Sequence, residues 1–107
     1  MARSAEEVEQ IARRTVELAA ARLTLTGAYL FGSYCDGSAT DDSDIDIALF
    51  SPDADDMPLT AKVGLLADIR LAVDAEVELH LFGARCVEEA RPTNIYGHIL
   101  ATGRQIA

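Results

Sequence analysis

Positive charge is what this sequence of 107 residues has least of: 9 basic residues, a single Lys among them, stand against 18 acidic ones, for a formal charge of −9. A field of that sign repels a phosphate backbone, which argues against nucleic acid as a partner. Long apolar runs are missing as well. No stretch reaches the roughly 20 apolar residues that span a bilayer, and the opening "MARSAEEVEQ" has no apolar signal core, so the sequence reads as cytoplasmic with no membrane partner. Cysteine is scarce: Cys35 and Cys86 are too few and too far apart for a zinc knuckle, and in a reducing compartment they read as two free thiols. Internal repeats and low-complexity linkers are absent. The length, with 50% of residues apolar, suits one domain over 1–107 with one core.

What is present follows two periods. Ser4 with Glu7 three places on makes a capping box, and Val8, Ile11, Ala12, Thr15, Val16, Ala19 and Leu23 recur at helical spacing, which predicts a helix over 4–22. "TGAYLF" predicts a short buried strand at 26–31, ending at Gly32 and Ser33, with one turn of helix before Gly37. "DIDIALF" predicts a second strand over 44–50, with Ile45, Ile47 and Leu49 on one face and Asp44, Asp46 and Ala48 on the other. "SPDADDMP" reads as a solvent loop, and 58–72 as a second long helix that buries Leu59, Val63, Leu65, Leu66 and Ile69. A third strand is expected over 73–82, where Val73, Ala75, Val77, Leu79 and Leu81 alternate with Asp74, Glu76, Glu78 and His80. A closing helix over 92–101 stops at Gly103. This order predicts an α+β fold, a three-stranded sheet with helices packed on one face and the carboxylates of strands two and three on the other.

Those carboxylates raise the question of function. Asp41, Asp42, Asp44 and Asp46 fall within six positions, and like charges so close together cost free energy unless a cation neutralises them. Asp41 and Asp42 read as a polar loop. Asp44 and Asp46, two apart on a strand, leave the same face roughly 6 to 7 Å apart at the backbone. Hard oxygen donors of this kind suit Mg²⁺ or Mn²⁺, which combine one or two protein carboxylates with substrate phosphates and water. Gly32 lets a phosphate approach the backbone, while Ser33 offers a hydroxyl and, at a helix start, free N–H groups. A third carboxylate from strand three would complete a site for in-line transfer at phosphorus, with Glu76 and Glu78 both on the acidic face. His80 shares that face and reads as an exposed edge residue; His98 lies far from the motif. Tyr96 reads as packing, and Arg70, Arg85 and Arg91 as surface ion-pair partners.

Gly32-Ser33, ten intervening residues, then Asp44-Ile45-Asp46 resembles the signature of the polymerase-beta-like nucleotidyltransferases, and the short length resembles their minimal branch. "AYLFGS", "SDIDIALF" and "EVELHLF" are similar to that family's first three strands, and "NIYGHILATGRQIA" to its closing helix and tail. The resemblance implies the nucleotidyltransferase fold, with a small mixed sheet of three or four strands. It also implies transfer of a nucleoside monophosphate, AMP from ATP, to a hydroxyl. Gly32 and Ser33 would contact the nucleoside triphosphate; Asp44, Asp46 and Glu78 would hold Mg²⁺ or Mn²⁺ and carry catalysis. Minimal members resemble antitoxins whose partner is a HEPN-type toxin, and in such pairs the antitoxin adenylylates a tyrosine of the toxin. With no acceptor-binding domain in the chain, the acceptor would be held by that partner or by a second subunit, in a homo- or hetero-oligomer. Tyr34 and Asp36 stand where the family usually has Arg, which keeps a rival reading open: a non-catalytic antitoxin that neutralises its partner sterically.

Overall fold

Helix α1 (Ala5–Ala20) starts where the capping box puts it: Ser4 Oγ accepts the Glu7 N–H at 3.1 Å, and Val8, Ala12, Thr15 and Ala19 are buried along its inner face. Thr15, the polar member of that stripe, donates its hydroxyl hydrogen to the Ile11 carbonyl at 2.8 Å and so enters the core satisfied. The computed structural model describes residues 3–40, 43–73, 76–91 and 93–107. Asp41, Asp42, Asp74, Ala75 and Pro92 lie outside the described residues, as do the side chains of Cys35 and Asp36.

Beyond α1 the chain runs through β1 (Gly27–Phe31), the single-turn α2 (Ser33–Asp36) and β2 (Ile45–Ser51). It continues through α3 (Leu59–Val73), β3 (Val77–Gly83), the single-turn α4 (Arg85–Glu88), α5 (Ile95–Thr102) and β4 (Arg104–Gln105). The four strands form one mixed sheet in the order β3-β2-β1-β4, with β1 antiparallel to both β2 and β4 and β2 parallel to β3. The parallel pair exists because α3 carries the chain back across the sheet between β2 and β3. The α+β class expected from the sequence is observed, with β4 as the fourth strand of the sheet.

The strand period of two sorts the sheet into two faces. Ala28, Leu30, Ile45, Ile47, Leu49, Val77 and Leu79 form the main core with Val8, Ala12 and Ala19 of α1 and Leu65 and Ile69 of α3. The opposite face divides along the strands. At one end Phe31, Ala48 and Phe50 are buried under Ile99 of α5, with Tyr29, Phe82, Tyr96 and Leu100 packed around them. At the other end the same face carries Asp46, Glu78 and His80. The long helices α1 and α3 lie on one face as expected, and α5 adds a partial cover on the other, over its apolar end.

Three local expectations are corrected. The third strand begins at Val77 rather than Val73, because Leu71, Ala72 and Val73 continue α3 and Val73 meets the core from the helix. Leu59 and Val63 are 74% and 59% exposed instead of buried: α3 is apolar around most of its circumference, so spacing alone does not choose its inward face. "SPDADDMP" is more than a solvent loop, since Pro52–Asp55 forms a 3-10 turn. Ala54 in that turn is buried, Ser51 Oγ accepts the Asp53 N–H at 3.1 Å, and Asp53 in turn accepts the Thr24 N–H at 2.9 Å.

Candidate active site

The site is organised around Gly32, which joins β1 to α2 at φ 76 and ψ −155, a region open to glycine and almost nothing else. A Cβ at this position would run into the Asp46 carboxylate. Glycine is thus required twice, once for the turn and once for the approach of the Asp46 side chain to the main chain. Ser33 follows as the first residue of α2 and is half-buried.

Asp46 sits on β2 between Phe31 of β1 and Glu78 of β3, its two register partners. Burial, the neighbouring charge of Glu78, a hydrogen bond shared with Glu78 and the charge of Asp44 together push the Asp46 carboxyl from 3.8 up to about 6. The Asp46 carboxyl therefore keeps its proton up to pH values at which an ordinary aspartate is ionised. Hard oxygen donors under this repulsion are the donor set that a divalent cation relieves, so the residues present fit Mg²⁺ or Mn²⁺. Asp44 stands one residue before β2 and is exposed; it acts on Asp46 through its charge but is not in the close group of ligand atoms.

Register separates the two candidate glutamates. Glu78 is paired with Asp46, whereas Glu76 precedes β3 and its carboxylate accepts from Arg3 Nη2 at 2.9 Å. His80 is the residue that sequence reasoning passed over. Its ligand atom and those of Asp46 and Glu78 all lie within 4.8 Å of one another, with Nε2 3.9 Å from Glu78 Oε1. The ring is half-buried, 5.3 Å from the Phe31 ring centre, and its neighbour on β2 is the small Ala48. The alternation on the third strand already put His80 on the face of Glu78; what it lacked was the register that sets both beside Asp46.

A cleft of about 480 Å³ lies on the α1 side of the Gly-Ser turn, bounded by Arg3, Val8, Leu30, Ser33, Tyr34 and Arg104. Asp46, Glu78 and His80 do not line it. Tyr34 is tied to its rim, its hydroxyl oxygen accepting the Arg3 N–H at 3.0 Å. Arg104 pairs with Glu9 at 2.9 Å. Elsewhere, Tyr96 packs edge-on against Phe82, Arg85 lies 3.7 Å from Asp55, and His98 is exposed.

A glycine-bounded turn set against paired carboxylates on adjacent strands of a small mixed sheet defines a class of phosphoryl-handling domains. Within it, this chain belongs to the family described as Polymerase beta, Nucleotidyltransferase, whose profile matches residues 14–107. No curated protein sequence matches the chain. Among solved structures it is similar to a protein from Sulfolobus solfataricus assigned as a nucleotidyltransferase, with 22% identity, a TM-score of 0.63, and coverage of 77% of this chain and 72% of that one. A toxin–antitoxin structure with AMP-PNP shares 24% identity at a TM-score of 0.62, covering 90% of this chain and 72% of its own. A variant of the toxin–antitoxin MntA-HpeT shares 25% identity at a TM-score of 0.59, covering 89% and 70%. Among the described residues no helix is long and apolar enough to cross a membrane.

Proposed function

We propose that this chain is the antitoxin of a toxin–antitoxin pair and acts as a metal-dependent nucleotidyltransferase, moving AMP from ATP to a hydroxyl of a HEPN-type toxin partner. The observation that carries the reading is the Asp46 carboxyl packed against Gly32 and set beside Glu78 by the pairing of β2 with β3. Family membership and the likeness to toxin–antitoxin structures support it.

In the proposed reaction the acceptor hydroxyl gives its proton to a carboxylate of the site as its oxygen attacks the α phosphorus in line; a new oxygen–phosphorus bond forms, and the bond to the α–β bridging oxygen breaks to release pyrophosphate. A divalent ion, when bound, supplies positive charge to the phosphate oxygens and lowers the pKa of the attacking hydroxyl. Asp44, Asp46 and Glu78 would hold that ion, and Glu78 would keep the Asp46 carboxyl oriented. Gly32, with no side chain, leaves the main chain open to the triphosphate, and Ser33 offers it a hydroxyl and a backbone N–H.

One observation favours a second reading, a steric antitoxin without transferase activity. Tyr34, at a position where the family usually carries a cation, spends its hydroxyl on the Arg3 main chain and supplies no charge for a triphosphate. The test is to incubate the protein with Mg²⁺ or Mn²⁺, α-labelled ATP and a HEPN-type partner, with Asp44→Ala and Asp46→Ala as controls. Label on the partner that disappears in both variants is the expected result. Label retained by both variants would sink the assignment of the aspartates, and no label with intact partner binding would favour the steric reading.

A further inference from the structure

We infer that His80 is a nitrogen ligand of the ion held at Asp46 and Glu78, so that the site selects a first-row transition-metal ion such as Mn²⁺ over Mg²⁺. The inference rests on the reading above that a divalent ion occupies this site, and it adds a donor and a selectivity which that reading does not contain.

The geometry is the argument. Donor atoms bound to one such ion at about 2 Å lie roughly 3 to 4 Å apart, depending on whether they are adjacent or opposed. The ligand atoms of Asp46, Glu78 and His80 lie within 4.8 Å of one another, and the His80 Nε2 to Glu78 Oε1 separation of 3.9 Å is already inside that range. The imidazole has little freedom to turn elsewhere. Phe31 packs on it at 5.3 Å between ring centres, and Phe82 stacks nearly parallel to it at 6.3 Å with 10° between the planes. Both rings belong to the apolar end of the same face, so they hold Nε2 towards the carboxylates.

The chemistry then follows from donor softness. Mg²⁺ takes oxygen and gives up its water reluctantly, whereas imidazole nitrogen is a good donor to first-row transition metals. Carboxylates joined by one imidazole make a mixed site in which Mg²⁺ gains little from the nitrogen. No cation-assisted step needs to change; the selectivity lies in the ground-state binding of the ion.

The test is metal binding by the free protein, read by calorimetry with Mn²⁺ or Mg²⁺ alone and by pulsed electron paramagnetic resonance of bound Mn²⁺. Wild type is expected to bind Mn²⁺ at least about tenfold more tightly than Mg²⁺ and to show nitrogen coupling. His80→Phe, which keeps an aromatic ring between Phe31 and Phe82, and His80→Ala should each lose the coupling and about tenfold or more in Mn²⁺ affinity, with Mg²⁺ affinity changed by less than about twofold. If Mn²⁺ binds wild type and is lost in Asp46→Asn, but folded His80 variants bind it unchanged, His80 is not a ligand and this inference falls while the Asp46 site stands. If wild type binds neither ion, the metal reading itself falls.

Discussion

The Asp46 carboxyl makes the native fold less stable at neutral pH in the absence of a cation, and replacing it with its neutral isostere should reveal by how much. Its value in the folded protein, about 6, lies above the ordinary 3.8. Between those two values the folded protein holds a proton that the unfolded chain has released. Stability is therefore full below about pH 4, declines as pH rises through that window, and stays reduced above pH 6. A shift of about two units at roughly 1.4 kcal/mol each sets a ceiling near 3 kcal/mol; because the carboxyl is partly open to solvent, screening lowers this to about 1 to 2 kcal/mol. Asn reproduces the neutral acid in shape and keeps a donor for Glu78. Asp46→Asn should then raise the melting temperature by roughly 5 to 10 °C at pH 8 in chelator and change it little at pH 4. Mn²⁺ should narrow or reverse the order by stabilising wild type alone. Thermal melts of both proteins at the two pH values are the assay. No gain at pH 8, or an equal gain at both, would refute the argument that ion-free charge at this position costs stability.

Further substitutions probe how the site is built. Gly32→Ala forces a side chain into a glycine-only conformation and onto the Asp46 carboxylate; a loss of about 2 kcal/mol or more in urea denaturation is expected, together with weakened Mn²⁺ binding. Asn94→Ala removes the side chain that caps α5, whose Oδ1 accepts from the Gly97 N–H at 2.9 Å and the Arg91 N–H at 3.1 Å. It should cost about 1 kcal/mol, measured the same way. Ile99→Ala opens a cavity over Phe31 and Phe50, with an expected loss of about 3 kcal/mol, and should also loosen the apolar wall behind His80.

The elements themselves were legible because their signals are local. A capping box, a helical stripe ending at Ala19 and Leu23, and a strict period of two in "DIDIALF" each depend on neighbours a few residues away, and each appears within one or two residues of its expected bounds. The α2 turn between Gly32 and Gly37 was legible for the same reason, since two glycines bracket it and both adopt positive φ. Where a segment is apolar on most sides the local signal fails. In α3, nothing in the spacing says that Leu65 and Ile69 turn inward while Leu59 and Val63 do not; that follows from where the sheet lies. The same ambiguity moved the start of the third strand, since Leu71-Ala72-Val73 suits a helix and a strand equally and only its docking against the core selects the helix.

What the sequence determined by itself was the set of elements, the glycine at the turn and the placing of Asp46, Glu78 and His80 on like faces of their strands, because each is a consequence of backbone geometry over a few residues. What the tertiary structure alone decided was which of these groups meet. The parallel register of β2 with β3 sets Glu78 beside Asp46 and brings His80 next to Ala48, while Arg3 takes Glu76. The placing of α5 covers the apolar end of that face. Register and packing are relations between segments about thirty residues or more apart, fixed by which pairing buries the most apolar surface, and no local pattern encodes them.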